Sequence, residues 1–326
     1  MIAERGPLPV IDASELAADA VVVNVGFVGA PVVITEKLFC GSEIVPALNE
    51  MSRRIGRRID AVMGAEIGGG NGLVAFLAGS LLGVPIVDGD GMGRAFPRSD
   101  QVTYSICGRS ASPTVVSSEQ GDIVCVEGSS NRRVEQIVRA LAVANGNSCF
   151  TVDYVLSGDD VRACAVLESL SLARRIGAAL RVARGAHADP LLALSNVLTR
   201  SGRLLVRSLF DGKVVDCAQE VRGGFGFGRV TLDSLPSGAR MTIEFQNEFL
   251  VARRDGVIVA TTPDIISIVD SETLRNIGSE SVRYGQRVRV LSIEAPTLLQ
   301  SPHALCVVGP RAFGFDLDYS PVSKLA

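Results

Sequence analysis

From Ile67 to Val87 the chain carries no charged side chain for 21 residues. How that stretch folds constrains everything around it. About 20 apolar residues suffice to span a bilayer as a helix. Here, however, Gly68-Gly-Gly-Asn-Gly72 opens the stretch and Gly83-Val-Pro85 breaks it near its end. Between these interruptions there is room for a helix of about ten residues, followed by a short strand. The stretch therefore predicts a buried helix–turn–strand unit, not a membrane span.

Its neighbours continue the alternation. Ala20–Gly26 reads as an apolar strand, Val32–Thr35 as a second and Ile59–Gly64 as a third. Ile44, Val45, Leu48, Met51 and Ile55 recur at helical spacing after Ser42, a plausible N-cap. Strand–helix–strand succession implies parallel pairing with crossover helices. Beyond Pro97, Val102–Cys107, Thr114–Ser117 and Ile123–Glu127 are expected as short strands that make the sheet mixed. Asn131 opens an amphipathic helix to about 145, Phe150–Val155 is a strand, and 158–184 is expected as one helix. From Gly202 onward short strands recur about every ten residues, with Asp211-Gly212 and Asp255-Gly256 as hairpin signals and Leu305–Val308 as a late strand. The 326 residues thus predict an α/β N-terminal domain, 1–200, with a mixed, partly parallel sheet. An all-β domain, 201–326, follows as a sandwich or barrel.

Composition removes several function classes. A net charge of −3 without charged runs argues against nucleic acid or an anionic membrane as partner. Seven Cys, an odd number with no CxxC pair and no apolar leader before them, read as reduced thiols in a cytoplasmic protein. Two His, His187 and His303, exclude a zinc site of the three-His or HExxH type. No GxSxG elbow is present. A symmetric homo-oligomer is the base-rate expectation.

Four constellations can carry chemistry. Glu66-Ile-Gly-Gly-Gly-Asn-Gly72 lies where a strand hands over to a helix. There, glycines such as Gly69 and Gly70 free backbone N–H groups toward a ligand, unless the loop is only a tight turn. It matches neither a Walker A loop nor GxGxxG. Asp88-Gly-Asp-Gly-Met-Gly-Arg-Ala-Phe-Pro97 follows a parallel-type strand, where open sheets place ligands. Asp88 and Asp90 there suit a general base and its orienter or a divalent cation, with Arg94 as neutraliser or oxygen ligand; a plain polar turn is the alternative. Glu36-Lys37 reads as a surface ion pair or a site pair, and Glu244–Glu248 as a hairpin turn or a cleft-facing run.

At these strings, together with Gly29-Ala-Pro31 and Gly309–Asp316, the chain resembles the S-methyl-thiohydantoin desulfurase family, whose genes occur beside those of hydantoinases and oxoprolinases. Members usually carry a further Gly-rich segment ahead of the Gly-Ala-Pro string. This chain starts after that point, so a shortened or diverged member is expected. The resemblance implies hydrolysis of a five-membered ring. Water adds at the carbon between the two ring nitrogens and methanethiol leaves. It implies Asp90 as base, Asp88 as orienter or metal ligand, and Arg94 with Asn71 on the ring oxygens. Glu36 and Lys37 would be further contributors, and a metal would use Asp88, Asp90, Glu66 or a Cys. A non-catalytic partner of a hydantoinase-like subunit, or a nucleotide-binding enzyme using Gly68–Gly72, stays open beside it.

Overall fold

The computed structural model describes residues 6–29, 39–201, 206–234 and 236–325. Contacts divide the chain into two units, Met1–Ser171 and Leu172–Ala326. Residues 172–200, which composition groups with the α/β part, fall with the second unit.

The first unit runs β1 (Val10–Ile11), β2 (Val22–Gly29), α1 (Ile44–Ile55), β3 (Ala61–Gly64), α2 (Asn71–Leu82) and β4 (Ile86–Asp90). It continues with α3 (Thr103–Ile106), β5 (Thr114–Ser117), β6 (Ile123–Val126), α4 (Asn131–Ala144), β7 (Ser148–Leu156), α5 (Gly158–Cys164) and β8 (Val166–Leu167). The strands form one mixed sheet in the order β1-β4-β3-β2-β7-β5-β6, with β8 on β4. β1, β4, β3 and β2 pair in parallel, and β7, β5, β6 and β8 join antiparallel. The charge-free stretch is α2 and β4. α1 buries Ile44, Ala47, Leu48 and Met51 completely, and α2 buries Val74, Ala75 and Ala78 beside them. They close over Val23, Val25, Val62, Ile86 and Val152 of the strands. Gly79 allows the close approach: a Cβ there would stand 3.0 Å from both Ile86 and the Val84 carbonyl.

Several expectations are corrected. Val102–Cys107 is not a strand. Thr103 N donates to Gly91 O and Tyr104 packs its fully buried ring on Gly91, so tertiary contact overrides β propensity and forms α3. The single helix over 158–184 is broken. Val166 and Leu167 pair with Asp90 and Gly89, and Glu168 takes φ 60° before the next helix starts. Ser42 does not cap α1. That position belongs to Glu43, without a side-chain cap, and the Ser42 hydroxyl meets Cys40 Sγ at 2.9 Å. The strand expected at Val32–Thr35 lies outside the described residues.

The second unit carries most of α6 (Ser169–Gly185), then α7 (Pro190–Arg200), β9 (Val206–Arg222), β10 (Phe225–Asp233), β11 (Arg240–Gln246), β12 (Glu248–Arg254) and β13 (Val257–Thr261). β14 (Ile265–Asp270), β15 (Asn276–Ile277), β16 (Arg287–Ile293) and α8 (Pro302–Val308) complete it. Its strands form a single antiparallel ladder, β13-β12-β11-β10-β9-β16-β14-β15. Val214, Val230, Ile243, Ile268, Val288 and Val290 fill its core. Asp255-Gly256 turns the chain as expected, at φ 49° and 83°. Asp211-Gly212 does not: it lies inside β9, where a Cβ on Gly212 would meet Asp233 O at 2.7 Å. That glycine serves a close strand approach, not a hairpin. Leu305–Val308 is helical because Ser301 caps α8 and Pro302 starts it. Glu244–Glu248 runs from β11 into β12 through a tight turn at Asn247, which takes φ 56° and whose Oδ1 accepts from Gly226 N.

Candidate active site

The two glycine-rich strings are stapled together by one oxygen. Asp90 ends β4 and is 1% exposed. Its Oδ2 accepts from Ile67 N at 3.0 Å, Met92 N at 3.0 Å and Gly93 N at 2.8 Å. Ile67 belongs to the loop before α2, and Met92 and Gly93 to the acidic turn. Gly91 N donates to Ala65 O, and Gly68 lies so close to Ala95 that a Cβ would stand 2.9 Å from it. Burial pushes the Asp90 carboxyl up to about 6, against the pull of the Ser169 hydroxyl and the three amides. Asp90 Oδ1 and Ser169 Oγ are both sealed from solvent, near one another, and neither makes a well-formed hydrogen bond. One oxygen of Asp90 is thus committed to the backbone, and the other faces the Ser169 hydroxyl.

Asn71, the first residue of α2, ties that helix to β2. Its Oδ1 accepts from Phe27 N at 2.7 Å, and its Nδ2 donates to Phe27 O at 3.0 Å and to Glu66 Oε1 at 2.8 Å. The amide replaces a strand neighbour for Phe27 and brings the half-buried Glu66 to the same spot. Gly69 and Gly70 are exposed beside it, Gly69 at φ 52°. Arg94 is 6% exposed, donates from Nε to Ala95 O at 2.9 Å, and lies 4.7 Å over the Phe96 ring. Asp88 is half-buried and its Oδ1 accepts from Ser171 N at 3.0 Å, which anchors the first turn of α6. Glu36 and Lys37 lie outside the described residues.

Next to Asn71 and Gly70 opens a cleft of about 480 Å³, the size range of small-molecule sites. Phe27, Phe39 and Phe150 wall it, with edge-on ring contacts at centroid distances of 4.8, 5.3 and 5.7 Å. Leu73, Val74 and Leu77 of α2, with Cys40 and Gly41, complete its lining. Sequence reasoning missed these walls. The signal available was weak: Phe27 and Phe150 end or begin strands that only the fold makes neighbours, through the pair Phe27–Phe150.

A second polar group was also missed. Asn24 and Asp153 interrupt two apolar strands, β2 and β7, and are registered opposite each other. Both are buried, and Asn24 Nδ2 donates to Asp153 Oδ1. Burial lifts Asp153 to about 7, against the Asn24 amide. Tyr104 Oη reaches toward Asn24 Oδ1 and Gly64 O at 3.5 and 3.4 Å, and burial, then the Asp90 and Asp153 charges, raise its phenol. Polar residues inside otherwise apolar strands were the legible clue.

With this geometry in hand, comparison with known proteins is informative. Two family models cover nearly the whole chain: "S-Me-THD-like, N-terminal domain" over residues 1–128 and "S-Me-THD-like, C-terminal domain" over residues 129–322. The chain belongs to the S-Me-THD-like family. A crystal structure of a protein from Chromobacterium violaceum, from a structural genomics programme, aligns with a TM-score of 0.81 at 24% identity. The alignment covers 97% of this chain and 87% of that one, and the likeness shows a shared fold. No curated protein matches.

In this S-Me-THD-like chain the carboxylates do not fit a metal cage. Asp90 Oδ2 faces three N–H dipoles and Asp88 Oδ1 one, donors that would repel a cation placed on the same oxygens. Among the described residues no three His, Cys, Asp or Glu side chains converge. Among them, too, no helix is long and apolar enough to cross a membrane.

Proposed function

We propose that this S-Me-THD-like protein hydrolyses an S-methylated thiohydantoin-type ring. The observation that supports it most is the pinning of both glycine-rich loops by one oxygen of the buried Asp90, one of those loops leading directly into Gly70 and Asn71 on the wall of a cleft of small-molecule size. In this reading the ring enters with its polar edge toward Gly70 and Asn71, at the positive end of α2. Asp90 Oδ1 takes a proton from water as its oxygen bonds to the carbon between the ring nitrogens. The C=N electrons pass to the ring nitrogen, which takes that proton from Asp90. The carbon–sulfur bond then breaks as the added hydroxyl becomes the carbonyl, its proton passes by way of Asp90 to the leaving sulfur, and methanethiol and a hydantoin result. A carboxyl raised to about 6 is largely ionised at neutral pH and remains basic enough for this transfer. Glu66 holds the Asn71 amide in its orientation, Arg94 polarises a ring oxygen, and Asp88 fixes the start of α6.

Asp90→Asn separates chemistry from scaffolding. Its carbonyl can still accept the three N–H bonds, so folding should persist while thiol release, followed with a chromogenic thiol reagent, falls by about 10²-fold or more. In the parent, kcat/KM should fall as pH drops through about 6. A folded Asp90→Asn variant with full turnover would reduce Asp90 to a loop pin.

A further inference from the structure

The cleft has a division of labour. At one end lie Gly70 and the Asn71 amide; Phe27, Phe39, Phe150, Leu73, Val74 and Leu77 make most of the remaining wall hydrocarbon or aromatic, with Cys40 and Gly41 beside them. Among its described lining residues none carries a charge. The three rings contact one another edge-on, which leaves their faces and remaining edges to meet an apolar group. Leu73 is 67% exposed, so an apolar side chain stands in water at this cleft. Leu73 stands on α2 next to Val74 and Leu77 of the cleft wall, so its exposed side chain extends the apolar rim of the cleft.

Resting on the ring-hydrolase reading, we propose that this cleft selects rings by their carbon substituent. It takes those bearing an arylmethyl or branched aliphatic group and rejects those bearing a carboxylate or ammonium. The polar ring sits at the Gly70–Asn71 end, and its substituent lies between the phenylalanines and the Leu73–Leu77 edge of α2. A charged substituent would lose its hydration there without gaining a partner. An apolar one of Leu or Phe size gains roughly one to two powers of ten in affinity.

The test is calorimetric titration of the full chain with three probes: a hydantoin carrying a benzyl group, one carrying a carboxyethyl group, and phenylpropanamide, which has no ring diamide. The benzyl compound should bind at least roughly tenfold tighter than the carboxyethyl one. Leu73→Lys, at an exposed helical position where folding is not at stake, should shrink or reverse that ratio by attracting the carboxylate. Equal affinities, or a ratio that Leu73→Lys leaves untouched, overturn the proposal while leaving ring hydrolysis standing. Binding of phenylpropanamide without binding of either ring keeps the apolar selectivity and overturns the hydrolase reading instead.

Discussion

Gly91, the residue after Asp90, shows how tightly the acidic turn is packed. A Cβ on Gly91 would stand 2.8 Å from the Tyr104 ring, which is fully buried and has no space to retreat. Gly91→Ala should therefore destabilise the protein by about 1–3 kcal/mol, as overpacked cores do. Gly70→Ala should change stability little, since nothing lies within 4 Å of its would-be Cβ. Urea unfolding of both variants checks the contrast, and equal midpoints would mean that the Tyr104 contact is softer than it looks. At this scale the sequence was half legible. Asp90 was marked by its place in a glycine-rich turn after a strand. Its burial, and the use of one oxygen as a three-way backbone acceptor, were not marked, because Ile67 and Gly93 lie far apart in sequence and meet only when β3 and β4 pair.

At the scale of elements, α2 is held to β2 by a side chain and not only by packing. Asn71→Leu would keep the helix, whose interior is apolar, but strand both backbone groups of Phe27. Leaving such groups unpaired costs on the order of 2–3 kcal/mol. It should also raise hydrogen exchange at the Phe27 amide and weaken binding of the benzyl-substituted hydantoin, since Phe27 walls the cleft. Unchanged exchange at Phe27 would show that another donor or acceptor takes over. The helix itself was readable from Gly68–Gly72 and Gly83, which punctuate it. The elements misread share one cause: α3, β8 and α8 are short, and short segments take their form from neighbours such as Gly91, β4 and Ser301 more than from their own propensity.

For the whole molecule, two buried carboxyls make stability depend on pH. In the folded protein Asp90 and Asp153 keep their protons up to about 6 and about 7, against an ordinary carboxylate value of 3.8. Between these limits the folded state binds more protons than the unfolded chain. Their contribution to stability is therefore lost as pH rises from about 4 to about 7, then stays level. The loss is roughly 3–4 kcal/mol per group. Asp153→Asn keeps an acceptor for Asn24 and cannot ionise. Its stability relative to the parent should improve between pH 5 and pH 7, by up to about 1.4 kcal/mol per pH unit. Urea midpoints at the two pH values read this directly, and a constant gap would place the proton elsewhere.

Periodicity and glycine punctuation sufficed for the charge-free stretch: its length, its Gly68–Gly72 start and its Gly83-Val-Pro85 break dictate a buried helix and strand. Strand–helix succession and turn residues likewise indicated an α/β part followed by an all-β one. These are local signals, written within one or two turns of chain. What only the tertiary structure decided is which distant residues share a place: Asn24 with Asp153, Asn71 with Phe27, the three phenylalanines around one cleft. Strand register and burial set these pairings, and both depend on the free energy of the assembled sheet and its helices. No single segment carries that information.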